Sequence, residues 1–366
     1  MNIVVFGNAT GFGGAQTAFR RLVDFLVGDG HSLGIIGLVG PGDKLPVTGS
    51  RPPEFALRIE NQPGKPQKKL AQTLWAGWRA RHYRPRCFIS VGLAQSSALI
   101  ARILPASTFC IGQEFISGRD LNEPVMKSAV RSFDALAVQT PSMIGVLRRN
   151  GFNQLPLAWL PCFPDAPCAG FERERRGDRP EIRLGYFGRI EPLKGIDRLL
   201  RAMAAAKCCA PVSLDLWGVG AESDKLRRLA GECGLSGRVA LRGAYPEGVA
   251  YARLLCSYDG VVLPSTGLEG LPLILLEAMA YGVPVLTTRV GAIAECCADN
   301  EDAILVEPSV DALRAGLEEF VRRSWTNTFS TGRMIRYHQA RFSFDVLAAP
   351  WRKMIFDPPS FFSRDG

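Results

Sequence analysis

The chain has 366 residues, of which 47% are hydrophobic, so it can form two domains of ordinary size with full cores. No window holds 18 uninterrupted apolar residues, which excludes an ordinary membrane-spanning helix. The formal net charge is +9, and the ten cysteines form no CxxC motif, so we expect reduced cysteines and no zinc site.

The N-terminal sequence Met-Asn-Ile-Val-Val-Phe-Gly predicts a first strand over 2–6. It lacks the basic start and long apolar core of a secretory signal, so we expect a cytoplasmic protein, with association at the inner face of the membrane as a further expectation. A glycine-rich turn follows, in which Gly11, Gly13 and Gln16 fall on a GxGxxG frame. Gln16 replaces the third glycine, which disfavours a dinucleotide-dependent dehydrogenase. Gly13 and Gly14 would still let a ligand approach the backbone closely.

The first half of the chain alternates strand and helix patterns. Further strands are predicted over 32–38, 87–91, 108–111, 135–138 and 157–160. Helices are predicted over 15–28, 69–82, 96–104, 124–133 and 142–150. The stretch 40–65, rich in Gly and Pro, is predicted to be irregular. This α/β alternation with apolar strands is typical of a parallel sheet covered on both faces.

The segment 65–86 carries seven cations and no acid, and it contains Trp75 and Trp78. One interpretation is a helix that lies on an anionic membrane surface, with amphipathic tryptophans at the interface. The other is a solvated helix face beside a cleft for an anionic substrate. No motif of a nucleic-acid reader accompanies the charge, so a nucleic-acid partner is not expected.

A second alternation follows the stretch 161–180. Strands are predicted over 183–187, 212–217, 239–242, 260–263, 283–288 and 304–306. Helices are predicted up to 206 and over 222–233, 273–281 and 310–323, with Pro272 at the first helical position of the third. The tail 337–354 is predicted to pack back as a helix across the domain boundary.

Four loops of this second half follow strands, so they open at one edge of the predicted sheet. They carry the residues Arg189, Lys194, Gly218, Gly243, Glu269 and, just inside the next helix, Glu277. Two cations near a helix start suit a diphosphate, and the N–H groups of Gly270 and Leu271 would add to that anion site. Carboxylates accept sugar hydroxyls well. Each residue taken singly could be an ordinary surface group, but together they predict a nucleotide-sugar site.

The second half resembles the retaining family-4 glycosyltransferases in the segments 185–202, 216–230, 239–247 and 263–288. The first half resembles them more loosely, in 4–22, 133–143 and 157–165. The resemblance implies the GT-B architecture, in which two Rossmann-like doubly wound domains face each other across the active-site cleft. The implied division is an acceptor-binding domain over 1–165, a linker over 166–181, a nucleotide-sugar-binding domain over 182–335 and the tail 336–366.

By position, the resemblance assigns the donor diphosphate to Arg189 and Lys194 and the ribose hydroxyls to Glu277. Glu269 would contact the transferred sugar, so the implied catalytic residues are Glu269, Arg189 and Lys194. Gly13 and Gly14 would close over the donor phosphates, and Gly218 and Gly243 would belong to the same donor site. Where relatives often carry a histidine, this chain has Gln113 and Glu114, which become the candidates on the acceptor side.

The resemblance further implies transfer with retention of anomeric configuration, no cofactor and no metal, and this chain has no DxD motif. The expected partners are a nucleotide sugar and a saccharide or lipid-linked acceptor in cell-surface polysaccharide or glycolipid synthesis. A front-face substitution is favoured over a covalent intermediate, because no clear pair of nucleophile and base is present. The alternatives are a GT-B epimerase of sugar nucleotides and a non-catalytic partner subunit that binds them.

Overall fold

The computed structural model describes residues 1–10, 14–45, 52–115, 124–173 and 179–363. The described chain divides into two compact units, one formed by 1–163 together with the C-terminal residues from 347 onward, the other by 164–346. Within the described residues, no helix is both long and apolar enough to cross a membrane.

Unit 1 is built on a seven-stranded parallel sheet of order β3-β2-β1-β4-β5-β6-β7. Its strands are β1 (Asn2–Asn8), β2 (Ser32–Val39), β3 (Phe55–Glu60), β4 (Cys87–Val91), β5 (Phe109–Glu114), β6 (Ala135–Val138) and β7 (Leu157–Trp159). Its helices are α1 (Gly14–Gly28), α2 (Pro66–Tyr83), α3 (Gln95–Ile103), α4 (Pro124–Val130) and α5 (Pro141–Arg149). The central strands are mostly apolar and buried, as a sheet with helices on both faces requires.

Unit 2 is built on a six-stranded parallel sheet of order β10-β9-β8-β11-β12-β13. Its strands are β8 (Ile182–Phe187), β9 (Val212–Trp217), β10 (Val239–Gly243), β11 (Gly260–Leu263), β12 (Val285–Thr288) and β13 (Ala303–Val306). Its helices are α6 (Ile196–Ala205), α7 (Ser223–Glu232), α8 (Gly248–Cys256), α9 (Leu273–Ala280), α10 (Ile293–Cys297), α11 (Val310–Trp325) and α12 (Thr331–Phe342), with a 3₁₀ turn at Pro192–Lys194.

The C-terminal segment is helical, in α13 (Phe344–Phe356) and α14 (Pro358–Ser363). The expectation of one helix over 337–354 is wrong, because Ser343 is extended (φ −60°, ψ 155°) and separates α12 from α13. Trp351 is buried and its indole Nε1 donates to the Pro161 carbonyl at 2.7 Å, which ties α13 to the rest of unit 1. A hydrogen bond from a buried indole is the usual requirement for enclosing a tryptophan.

The prediction that 40–65 is irregular is wrong for its second half, which contains β3. This edge strand pairs with β2, and the ring of Phe55 fills the space above Gly34, where a Cβ would lie 2.2 Å from it. The partner strand β2 is distant in sequence from β3, so the local pattern around β3 was dominated by its neighbouring Pro and Gly residues. The short helices α8 and α10 were likewise not predicted.

Pro272 does not occupy the first helical position. The helix α9 begins at Leu273, and Pro272 precedes it in an extended conformation (φ −74°, ψ 106°). The difference is one residue, within the ordinary uncertainty of a helix end. Gly282 ends the segment, with φ at +70°, in the left-handed region that glycine adopts without strain.

Candidate functional site

The residues predicted for the donor site lie around the point where the strand order of unit 2 reverses. From the adjacent strands β8 and β11, the sheet extends through β9 and β10 on one side and through β12 and β13 on the other. In open parallel sheets, ligands bind at the carboxyl ends of the strands at such a switch point. The loops that follow β8 and β11 therefore form the core of the site.

These two loops are joined through their backbones. The N–H groups of Thr266 and Gly267 donate to the carbonyl of Leu193 at 2.8 and 3.1 Å. Gly195 has φ at +64°, and a Cβ there would lie 2.1 Å from the carbonyl oxygen of Pro264. Only glycine fits this contact, so the glycine after Lys194 lets the lysine's loop approach the β11 loop.

Lys194 and Glu269 meet at this junction. The Lys194 Nζ lies 2.5 Å from Glu269 Oε1, and both side chains are mostly enclosed, with 18% and 15% of their surface exposed. The hydroxyl of Ser265 donates to the same carboxylate oxygen at 2.6 Å. A cation and a carboxylate are thus fixed side by side at the switch point, with their positions set by both loops.

The start of α9 lies directly after this carboxylate. Within the described part of the chain, the N–H groups of Gly270 and Leu271 donate to no other group, and Pro272 has none to donate. The Glu269 carbonyl accepts from Ala292 N at 3.0 Å, which fixes the turn against the β12–α10 loop. Free N–H groups at the positive end of a helix are suited to binding an anion.

Arg189 lies on the same loop as Lys194 but has a different environment. Its side chain is half exposed, and its guanidinium Nη1 lies 2.6 Å from Glu191 Oε1. Its backbone is held by Tyr186, whose hydroxyl donates to the Arg189 carbonyl at 2.6 Å. Burial, with the nearby Glu269 carboxylate as a smaller contribution, raises the pKa of Tyr186 well above its usual range, so this hydroxyl stays a donor.

Glu277 lies on α9 and is held by a residue that the sequence analysis missed. The hydroxyl of Tyr251, on α8, donates to Glu277 Oε2 at 2.7 Å. The ring of Tyr251 packs edge-on against Phe187 at the end of β8, with centroids 5.8 Å apart, and Tyr245 packs against both rings. No local pattern marked Tyr251, because the helix that carries it was itself not predicted.

Gly218 packs closely against the backbone of a neighbouring loop, and Gly243 contributes a carbonyl to it, with open space where its own Cβ would be. Gly218 has φ at +135°, and a Cβ there would lie 1.8 Å from the carbonyl oxygen of Gly188. Its N–H donates to the Gly243 carbonyl at 2.6 Å, and the Gly188 N–H donates to the Trp217 carbonyl at 3.0 Å. These contacts hold the ends of β8, β9 and β10 together, while a direct contact of either glycine with the donor stays a prediction.

The remaining candidates belong to unit 1. Gly13 lies outside the described residues, and Gly14 opens α1 with open space where a Cβ would be. Gln113 and Glu114 end β5 and are almost completely buried, and Gln113 Nε2 donates to the Leu160 carbonyl at 3.0 Å. Their role toward the acceptor stays a prediction. No cluster of three or more potential metal ligands occurs among the described residues.

The second half of the chain is similar in sequence to known glycosyltransferases. Residues 181–323 match the family model described as Glycosyl transferases group 1. A relative in sequence is the GDP-mannose-dependent alpha-(1-6)-phosphatidylinositol monomannoside mannosyltransferase of Mycolicibacterium smegmatis, 30% identical over 165 residues. This match covers 43% of each chain, so the chain spans less than half the length of this curated relative in the alignment.

Solved structures match over nearly the whole chain. A sucrose-phosphate synthase from Thermosynechococcus elongatus superposes with a TM-score of 0.79 at 19% identity, covering 98% of this chain and 99% of the other. The Anabaena protein Alr3699/HepE, in complex with UDP and glucose, gives 0.75 at 17% identity, covering 97% and 99%. The two parallel sheets and these matches confirm the predicted GT-B fold, with two Rossmann-like domains.

Proposed function

We propose that this chain, whose residues 181–323 match the family model of the glycosyl transferases group 1, transfers a sugar from a nucleotide-diphosphate sugar to a saccharide or lipid-linked acceptor. The observation that carries the proposal is the arrangement at the switch point of unit 2. Lys194 lies against Glu269 there, and Glu269 directly precedes Gly270 and Leu271, whose N–H groups donate to no other group among the described residues. This combination offers positive groups for a diphosphate and a carboxylate for sugar hydroxyls.

The diphosphate would bind between Lys194 and the start of α9. An incoming phosphate oxygen can bind the ammonium group beside Glu269, because a lysine can donate three hydrogen bonds, and the two anions then share its one positive charge. Arg189 would exchange Glu191 for a second phosphate oxygen, which its exposed guanidinium allows. The carboxylate of Glu269, released in part from Lys194, would then accept hydroxyls of the transferred sugar.

The nucleoside would lie toward Glu277. Glu277 is proposed to accept the ribose hydroxyls, and Tyr251 positions its carboxylate through the 2.7 Å hydrogen bond. The relative from Mycolicibacterium smegmatis is named as GDP-mannose-dependent, and the Anabaena structure contains UDP. Both UDP and GDP are therefore the first donors to test.

The reaction is proposed to retain the anomeric configuration by front-face substitution. The acceptor oxygen forms the new bond to the anomeric carbon, the bond from that carbon to the donor phosphate breaks, and the acceptor proton passes to a phosphate oxygen. Glu269 Oε1 is already shared by Lys194 and Ser265, which lowers its nucleophilicity and favours a binding role. Lys194, Arg189 and the positive end of α9 would stabilise the leaving diphosphate in place of a metal.

The acceptor is proposed to belong to cell-surface polysaccharide or glycolipid synthesis, lipopolysaccharide included. The name of the mycobacterial relative, a mannosyltransferase acting on a phosphatidylinositol mannoside, supports a lipid-linked saccharide. In this proposal unit 1 binds the acceptor, and Gln113 and Glu114 lie on that side.

The proposal is tested by donor binding followed by product analysis. The purified full chain is incubated with UDP, GDP, ADP and their common sugar derivatives, and the midpoint of thermal unfolding is measured. A matching nucleotide is expected to raise the midpoint, since a ligand bound only to the folded state stabilises it. Mass spectrometry with acceptor candidates then identifies the product, with and without EDTA; we expect activity to survive the chelator.

The variant Arg189→Ala tests whether the donor binds at the proposed site, and Arg227→Ala is its matched control. Arg227 is also an exposed arginine of unit 2 that is paired with a nearby acid, Asp224, at 2.6 Å. Stabilisation by the donor is expected to shrink in Arg189→Ala and to persist in Arg227→Ala. No stabilisation by any nucleotide would overturn the proposal. Stabilisation without any product would indicate a non-catalytic partner subunit, and an altered nucleotide sugar without acceptor would indicate an epimerase.

A further inference from the structure

Helix α2 presents large apolar side chains to solvent. Leu70, Leu74, Trp75 and Trp78 are 52%, 46%, 55% and 52% exposed. They are four of the eleven exposed large hydrophobic residues in the described part of the chain. Single exposed apolar residues are ordinary, but a contiguous group of this size, with two tryptophans, marks an interaction surface.

The four side chains form one stripe. Leu70, Leu74 and Trp78 follow one another at steps of four residues, and Trp75 lies three residues before Trp78, on the neighbouring line of the helix. The opposite face of α2 is formed by small buried residues such as Ala76 and Ala80 and packs on the core of unit 1. The stripe is therefore the outer face of a helix whose inner face is already occupied.

The charge around the stripe has one sign. The chain has no Asp or Glu between Glu60 and Glu114, whereas α2 and its flanks contain the cations Lys65, Lys68, Lys69, Arg79, Arg81, Arg84 and Arg86. Glu60 offsets one of them, since Lys68 Nζ lies 2.6 Å from its carboxylate. Arg81 donates to the carbonyl of Ile103, a neutral group that does not offset the charge of the guanidinium.

From the stripe and its charge, we propose that the outer face of α2 docks unit 1 on an anionic lipid membrane. The helix would lie in the plane of the interface, with Trp75 and Trp78 between the headgroups and the acyl chains. The surrounding lysines and arginines would lie against anionic headgroups, with their aliphatic stems along the apolar layer. The inference is independent of the proposed sugar transfer.

The same charge argues against a second copy of the chain as the occupant. A two-fold dimer through this face would bring the two stripes together and place the basic flanks of one copy opposite those of the other. Like charges at an interface oppose association, and no acid within 61–113 compensates them. An anionic lipid bilayer offers an apolar layer for the stripe and negative headgroups for its basic flanks.

The test is sedimentation of the full chain with vesicles of phosphatidylcholine alone and of phosphatidylcholine mixed with phosphatidylglycerol. We expect binding to the anionic vesicles, little binding to the neutral ones, and weakening by salt. The double variant Trp75→Ser/Trp78→Ser is expected to lower the binding constant about ten-fold or more. The triple variant Lys65→Gln/Lys68→Gln/Lys69→Gln is expected to lower it by a similar factor, because each cation near an anionic surface adds to the attraction.

Matched controls come from unit 2. Trp325→Ser removes another exposed tryptophan, and Lys225→Gln/Arg227→Gln/Arg228→Gln removes three exposed cations from α7; both are expected to bind vesicles as the parent does. All variants are checked for an unchanged midpoint of thermal unfolding. The proposal is overturned by equal binding to neutral and anionic vesicles, by no binding, by equal losses in the controls, or by a dimer in solution that the tryptophan variant dissociates.

Discussion

Lys194 Nζ lies 2.5 Å from Glu269 Oε1, although the two residues belong to different loops at the carboxyl edge of one sheet. The pair joins the loop after β8 to the loop after β11. It holds, before any ligand is bound, the cation proposed for the diphosphate and the carboxylate proposed for the sugar.

Replacing the lysine tests the diphosphate assignment. Lys194→Ala is expected to weaken binding of UDP or GDP by about ten-fold or more, since a hydrogen bond to a charged group contributes roughly 1.5–3 kcal/mol. Isothermal titration calorimetry measures the affinity. Lys225→Ala is the control, because Lys225 on helix α7 also lies 2.5 Å from a carboxylate, that of Glu222, and is not part of the proposed donor site. Unchanged affinity in Lys194→Ala would refute the assignment.

Glu269→Gln separates a binding role from a nucleophilic one. The amide keeps the size of the side chain but loses the charge. We expect turnover to fall about 10- to 100-fold, which corresponds to the loss of one strong hydrogen bond, and the same anomer to be formed. Rate and product stereochemistry are measured together. Complete loss of activity, with a glycosyl group trapped on position 269 in the parent, would instead indicate the covalent route.

The contact between Tyr251 and Glu277 is expected to matter for nucleotide affinity. Tyr251→Phe removes the 2.7 Å hydrogen bond and is expected to weaken UDP or GDP binding about 3- to 10-fold, with a larger loss in Glu277→Ala. In the Glu277→Ala background, Tyr251→Phe should then have little further effect, because Tyr251 acts through Glu277. Tyr337→Phe, which removes a hydroxyl bound to the Cys296 carbonyl at 3.0 Å, is the control. Equal effects in both backgrounds would contradict the positioning role.

Gly218→Ala is expected to destabilise the fold by about 3 kcal/mol or more. The added Cβ would lie 1.8 Å from the Gly188 carbonyl oxygen, at a φ of +135° that alanine rarely adopts. Gly234→Ala is the control, because Gly234 has φ at +67° but nothing within 4 Å of its Cβ position, so only about 1 kcal/mol of backbone strain is expected. Urea unfolding of the two variants measures the difference, and equal losses would show that the contact with Gly188 relaxes freely.

The buried side chain of His338 is expected to contribute to the pH dependence of the free energy of unfolding. Burial lowers its pKa from 6.5 to about 4, so the unfolded chain takes up this proton more readily than the folded one. Stability is therefore complete above pH 6.5 and falls as the pH drops toward 4, by about 2 kcal/mol at pH 5 from this residue alone. Urea unfolding between pH 7.5 and 5 compares the parent with His338→Gln, which should lose less. Parallel pH profiles would contradict this contribution.

Much of this protein is determined by local sequence. Apolar runs ended by glycine or proline set the strands and the βα alternation, because a parallel sheet buried on both faces requires apolar strands. The same order placed Arg189, Lys194 and Glu269 at the ends of strands β8 and β11, and parallel strands bring all such ends to one edge. Two parallel α/β domains and the location of the candidate donor site were therefore predictable without coordinates, while the GT-B architecture was implied by the family resemblance.

Only the tertiary structure decided which partners these residues have. Lys194 contacts Glu269, 75 positions away, whereas Arg189 contacts Glu191 on its own loop, and no pattern distinguishes the two cations. Tyr251 and the edge strand β3 were missed because their contacts, with Glu277 and with Gly34, are formed across the fold. Sequence periodicity reports on which residues are buried, but a hydrogen bond between two loops depends on how the strands below them are ordered.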